Sequence, residues 1–363
     1  MVNFRPSEEQ ELVRQTMAGF AREVLRPRAR EADENNQVPA EVVRRGWELG
    51  LVQSAIPEPL GGYGDPRSAV TGALLLEELA YGDLALALHL LAPRLFTIPL
   101  LLAGTEGQRA RWLPQFARDQ FVAATAAFCE PRWDFDPTAL ETRAEKGRAD
   151  YVLTGEKCLV PLAREAEAIL VYATTADGPA AFVVERGSPG LTVGEREKNM
   201  GIKALATYPV TLEGVRVPAA GRLGGDGADL QPLVDASRVA VAALAVGVAR
   251  AAFDYARDYA KERRAFCGAI AQKQAIAFKL ADMAIEIDAM RLLVWEAAAK
   301  LDRGEPATRE CVLAKQYASQ SALNVADNAV QILGGHGYIR EHPVELWLRH
   351  ARGFATLEGL AIV

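Results

Sequence analysis

Between residues 151 and 184 the chain reads Tyr151-Val152-Leu153, Ile169-Leu170-Val171-Tyr172 and Phe182-Val183-Val184, with Thr154-Gly155 and Asp177-Gly178-Pro179 as the breaks. Short runs of β-branched and aromatic residues bounded by such turns read as strands. Val210, Leu212, Val215 and Val217 carry the pattern on. No helical period falls between these runs, so the spacing predicts an antiparallel sandwich or barrel rather than a parallel sheet with crossover helices. This β domain is expected over 121–229.

On both sides the period changes to that of helices. Ser7 to Gln10 has the form of a capping box, and Val13, Met17, Phe20 and Val24 follow at helical spacing. Pro39 stands where a second helix would begin, with Val42, Val43 and Trp47 as its apolar face, until Pro57 to Pro66 breaks it. Helical pattern resumes from about Ser68 to Tyr81 and runs through 84–104 to Phe116, giving an N-terminal α-helical domain over 1–120. Beyond the strands, an Ala/Val-rich helix from Leu230 to about Arg264, a second from Ala271 to Leu301, a third from Pro306 to Leu333 and a last from about Pro343 are joined by short loops. That predicts a C-terminal four-helix bundle over 230–363, and with it an α+β multi-domain protein.

Composition excludes several classes. The 363 residues are 50% hydrophobic and 24% charged with a net charge of −6, which fits a globular protein and neither a disordered nor a fibrous one. The most apolar window, Leu84 to Gly104, contains His89, Pro93, Arg94 and Pro99 and is read as buried helix, with no membrane span. The N-terminal residues carry no secretory signal pattern, so a cytoplasmic protein is expected. No basic stripe suits nucleic acid. Cys129, Cys158, Cys267 and Cys311 lie far apart and are expected to be buried thiols. There is no P-loop, no dinucleotide fingerprint and no Gly-x-Ser-x-Gly elbow. No histidine has a Glu three residues before it, so no metal site is expected, and His336, His342 and His350 read as a polar edge.

The motifs themselves are more specific. Ile56-Pro57-Glu58-Pro59-Leu60-Gly61-Gly62-Tyr63-Gly64, Glu77-Glu78-Leu79-Ala80, Tyr259 through Phe266, Gln274 with Leu280-Ala281-Asp282-Met283, Gln331 through Tyr338, and Pro343-Val344-Glu345 with Glu358-Gly359 occur in this order over nearly the whole chain. Together they resemble the acyl-CoA dehydrogenases. The resemblance implies a flavoprotein that removes hydrogens from Cα and Cβ of an acyl-CoA thioester, with FAD as cofactor and an acceptor such as an electron-transfer flavoprotein. Glu358 matches the family's catalytic base. Arg263, Phe266, Gln274, Gln331, Gly334 and Gly335 match residues that one subunit presents to the pyrophosphate and adenine end of its neighbour's FAD, which implies a homodimer or homotetramer. Arg238 matches an arginine near the CoA phosphates.

The departures from that pattern cluster on the flavin ring. Cys129-Glu130-Pro131-Arg132-Trp133-Asp134-Phe135-Asp136 stands where the family has Thr-Glu-Pro-x-Ala-Gly-Ser-Asp, and Leu159-Val160-Pro161 replaces Trp-Ile/Leu-Thr. Leu360 replaces the Thr after Glu-Gly, Cys267 replaces a glycine, and Glu358 is expected to lie in a frayed tail. An alternative of a different class follows: a catalytically degenerate, FAD-poor subunit paired with an active paralogue. Such a subunit would lend its neighbour Arg263, Phe266, Gln331 and Gly335, while Phe135 and Trp133 block its own flavin site.

Overall fold

The computed structural model describes residues 5–225 and 227–363. Helix α1 (Glu8–Phe20) begins on the expected capping box, with Ser7 Oγ accepting from Gln10 N and the Gln10 side chain accepting from Ser7 N. A π-helical turn, Ala21–Leu25, carries it into α2 (Arg26–Asn35). The wider turn keeps Ala21, Val24 and Leu25 all buried as the apolar face drifts round the helix. Next come α3 (Ala40–Glu48), capped by Pro39, and α4 (Ala69–Gly82), capped by the Ser68 hydroxyl. The apolar window then divides into α5 (Leu84–Leu91) and α6 (Arg94–Ala103), bent by 48°. Pro93 lies in the break, where its missing N–H costs no helical hydrogen bond. Helix α7 (Glu106–Trp112) closes this region with a second capping box, Thr105 with Gln108.

Seven strands follow in one sheet: β1 (Thr125–Ala127), β2 (Arg143–Lys146), β3 (Asp150–Pro161), β4 (Ala168–Thr175), β5 (Gly178–Glu185), β6 (Leu191–Val193) and β7 (Thr207–Pro218). The long pairs are antiparallel as expected: β2 with β3, β3 with β7, β4 with β5 and β6 with β7. One feature differs from the purely antiparallel expectation. β1 runs parallel to β4, and β2 touches β4 in parallel at Arg143 and Thr174. The β2–β3 excursion supplies the long connection that parallel pairing requires. Ile169 and Val171 point into a core between the strands, whereas Leu170 and Tyr172 join the core shared with the helices. Burial on both faces explains why that strand reads as an unbroken apolar run.

The last region holds α8 (Gln231–Glu262), a two-residue hairpin of β8 (Arg264–Ala265) and β9 (Gly268–Ala269), α9 (Gln274–Asp302), α10 (Thr308–Leu333), the short α11 (Gly335–Tyr338) and α12 (Val344–Ala351). Helix α8 is long and apolar enough to cross a membrane, yet it is nearly all covered by its neighbours in the fold. Its small residues allow close approach: a Cβ at Gly247 would collide with the Glu77 carbonyl of α4. Glu77 and Glu78 answer with ion pairs to Arg250 of α8, Arg291 of α9 and Arg14 of α1. The expected fold class, with helical, sheet and helical regions in sequence, is the one observed.

Three smaller expectations fail. Cys267 is exposed and Cys158 half-buried: Cys267 lies in the turn between β8 and β9, and Cys158 lies within β3 where its pairing with β7 is interrupted between Lys157 and Val160. His350 is buried instead of forming an edge: its Nδ1 accepts from Ile202 N at 3.0 Å and its Nε2 lies 3.3 Å from Asp83 Oδ2. The chain after Glu358 does not fray either. Leu360, Ala361, Ile362 and Val363 are all buried, since their apolar side chains enter the core between α4, α6 and α8.

Candidate active site and dinucleotide half-site

Two turns of α10 hold the returning chain. Ser319 Oγ donates to the Phe354 carbonyl at 3.1 Å, and one turn earlier Lys315 Nζ lies 2.7 Å from the Glu358 carboxylate. Glu358 is followed by Gly359 at φ +66, a left-handed conformation, and a Cβ there would lie 2.7 Å from the Phe128 ring. The Glu358 carbonyl accepts from Cys129 Sγ at 3.1 Å. Burial pushes the Cys129 thiol up to about 12, so it stays a donor. Beyond Gly359, the Val363 oxygen accepts from Arg67 Nε at 3.1 Å and Nη2 at 2.6 Å, which pins the segment.

Gly359 lines a small cavity of about 20 Å³ together with Leu95, Phe128, Tyr172, Ser237 and Ile362. Ser237 Oγ is buried with no hydrogen-bond partner, and burial raises the Tyr172 phenol well above its ordinary value. Arg238, the next residue of α8, is mostly buried and lies 3.9 Å from Asp235 of its own helix.

The loop from Cys129 is anchored by a buried carboxylate. Glu130 accepts from Glu141 N and Thr142 N at 2.8 Å each and pairs with the fully buried Lys157 of β3 at 2.9 Å. Cys158 N donates to the Cys129 carbonyl at 3.0 Å, tying loop to strand. Phe135 turns inward and meets Phe128 edge-on at 5.7 Å. Trp133 does not: it is 97% exposed, so the expectation that it blocks a site of its own chain is not met. Leu159 has φ +54, and its N–H is already shared between both oxygens of Glu197 at 3.1 Å.

The remaining candidates form an outward-facing set. Arg263 ends α8, and Phe266, 85% exposed at φ +51, sits in the hairpin, where Lys273 Nζ holds its carbonyl at 2.8 Å. Gln274 opens α9 in solvent. Gln331, Gly334 and Gly335 cluster where α10 ends, and among the described residues nothing stands within 4 Å of a Cβ at either glycine. The Tyr259 and His336 rings, 6.1 Å apart, bring the end of α8 next to α11. Arg263 and Gly335 therefore belong to one edge of the bundle, with polar and aromatic groups pointing away from their own chain.

Sequence reasoning did not find Lys315, Ser237 or Glu197. Lys315 left a trace, being the sole lysine of α10 among inward-facing alanines such as Ala314 and Ala318. Glu197 left none, because a carboxylate bonding a distant backbone N–H has no local pattern.

Comparison with known proteins adds three family-model matches in chain order. These are the acyl-CoA dehydrogenase N-terminal domain over 7–120, the middle domain over 125–215 and the C-terminal domain over 228–361. The probable acyl-CoA dehydrogenase YngJ of Bacillus subtilis is 37% identical, covering 99% of this chain and 96% of that protein. The mitochondrial short-chain specific acyl-CoA dehydrogenase of Bos taurus is 36% identical over 97% of this chain and 87% of its own length. The structure of butyryl-CoA dehydrogenase from Megasphaera elsdenii superposes with a TM-score of 0.88 at 32% identity, covering 97% and 95% of the two chains.

Proposed function

Because this chain belongs to the acyl-CoA dehydrogenase family, whose members are FAD-dependent oxidoreductases of acyl-CoA thioesters, we propose that it dehydrogenates an acyl-CoA between Cα and Cβ with Glu358 as the base. The observation that carries this reading is the placement of Glu358. Its carboxylate is mostly enclosed, its one ion-pair partner among the described residues is Lys315, and the adjoining Gly359 lines a small, mainly apolar cavity.

The thioester carbonyl acidifies the Cα–H, and Glu358 accepts that proton. Lys315 limits the directions the carboxylate can take, and apolar Leu95, Phe128 and Ile362 exclude water from the carbanion that develops. Arg238 would take the CoA phosphates. When bound, FAD supplies the acceptor for the hydride leaving Cβ. Arg263 and the Gln274 and Gln331 side chains suit its pyrophosphate and adenine end, open backbone at Gly334 and Gly335 allows close approach, and Phe266 offers a flat face. All of these point away from their own chain, so the reading includes a homodimer or homotetramer and an electron-transferring flavoprotein as acceptor, as family members have.

One observation favours a second reading. On the ring side the Leu159 N–H is engaged by Glu197, Pro161 has no N–H to give, and Phe135 packs inward. The groups facing a partner's FAD are free while those facing the chain's own are not, as expected of a subunit that completes a paralogue's site.

The visible absorption of the chain purified alone separates the two. A bound-flavin band bleached by acyl-CoA, with Glu358→Gln keeping the band and losing the bleaching, supports the enzyme. Undiminished bleaching in that variant rejects Glu358 as base. Colourless protein that turns yellow only with a co-expressed paralogue supports the subunit.

A further inference from the structure

The cavity beside Gly359 holds about 20 Å³. A single water needs about 10–15 Å³ on such a measure, so the space takes one methyl-sized group and little more. Leu95, on the first turn of α6, and Ile362 both line it, and both are nearly inaccessible to solvent. The residue after Ile362 is held in place. Val363 packs on Gly72 of α4, where a Cβ would lie 3.1 Å from it, and the two N–H groups of Arg67 hold its oxygen. Ser237 Oγ, which lines the same cavity and has no hydrogen-bond partner among the described residues, makes the seat poorer for a long alkyl chain than an all-carbon one.

We propose that Ile362 and Leu95 close the end of the acyl seat and restrict this chain to short, butyryl-sized acyl groups. The proposal rests on the acyl-CoA reading above. A longer chain has to displace the Ile362 side chain or draw Val363 away from Arg67, and overpacking of a filled site is unfavourable.

The test is calorimetric binding of S-butyl-CoA and S-octyl-CoA. Both are thioethers that lack the carbonyl needed for reaction, so binding is read apart from turnover. In an unrestricted apolar tunnel each added methylene strengthens binding about fourfold, and the octyl compound would win by about two hundredfold. The expected result is that wild type binds the butyl compound more tightly. Ile362→Ala should raise octyl relative to butyl affinity by about tenfold or more. Should that variant fail to fold, Ile362→Val gives a smaller change in the same direction. Wild type favouring the octyl compound, or a ratio unmoved by either substitution, overturns the size limit and leaves the acyl-CoA reading standing. Binding of neither thioether overturns both.

Discussion

Lys315 of α10 places its ammonium 2.7 Å from the Glu358 carboxylate, with side-chain exposures of only 11% and 14%. The nearly enclosed carboxylate therefore has one fixed electrostatic reference. Lys315→Met is expected to lower the rate of flavin reduction by about tenfold or more, since small misplacements of a reacting group cost that much. It should also lower unfolding free energy by about 1–3 kcal/mol. Lys315→Arg should recover part of both. Stopped-flow bleaching and urea denaturation read the two effects, and a Met variant of wild-type rate would remove Lys315 from any part in orienting the base.

Lys157 and Glu130 form the buried pair that holds the loop from Cys129 to Asp136. Lys157→Met leaves the buried Glu130 carboxylate with Arg132 Nε at 3.6 Å and two backbone N–H groups but no closer cation, and the expected loss is about 3 kcal/mol by chemical denaturation. A loss under 1 kcal/mol would mean that water reaches Glu130.

The same carboxylate gives a pH signature. Burial pushes Glu130 up, but the N–H of Glu141, the charge of Lys157 and the N–H of Thr142 outweigh it, so its pKa is lowered. Asp33 and Glu345 are lowered as well, each against its own burial, chiefly by hydrogen bonds from Arg349. A group with a depressed folded pKa contributes its full stability above the unfolded value near 4 and loses it as pH falls through the folded value. The urea midpoint should therefore decline from about pH 5 downward, with a shallower decline in Glu130→Gln. An identical slope in the variant would assign the acid sensitivity to other carboxylates.

Gly359→Ala tests the turn that aims Glu358. With φ +66 and a Cβ 2.7 Å from Phe128, alanine is strained both in its backbone and against the ring. A loss of about 1–3 kcal/mol in thermal or urea unfolding is expected, accompanied by weaker acyl-CoA-dependent bleaching. Unchanged stability would show that the turn relaxes freely.

Phe266→Ala and Arg263→Ala address the outward-facing edge. Both side chains are exposed, so chain stability should stay within about 0.5 kcal/mol. Flavin content, or the ability to turn a co-expressed paralogue yellow, should fall. Retained flavin in both variants would detach this edge from dinucleotide binding.

How far the sequence reached follows from the kind of signal each feature leaves. The capping boxes at Ser7 and Thr105, the apolar faces and the strand runs are local patterns, and the fold they imply is the one observed. The parallel pairing of β1 with β4 was hidden because nothing in Thr125 to Ala127 specifies the direction of its partner. Glu358 was legible only through its motif, and the burial of Leu360 to Val363 was not, because an apolar tail reads the same whether it frays or docks. Lys315, Ser237 and Glu197 act through residues far away in sequence, which periodicity does not register.

Asp33 ends as the point where the three regions meet. From α2 it takes Arg340 and Arg349 of the last region at 2.8 Å each, while Lys203, ahead of β7, stands 3.9 Å away. Together with Glu345, which Arg349 and Arg340 also face at 2.8 and 3.8 Å, Asp33 balances cations supplied by two other parts of the chain. A chimera that exchanged only the first region for a foreign one without this Asp would leave Arg340, Arg349 and Lys203 without the carboxylate they share. The regions are separate in sequence, but as parts to be recombined they have to travel together.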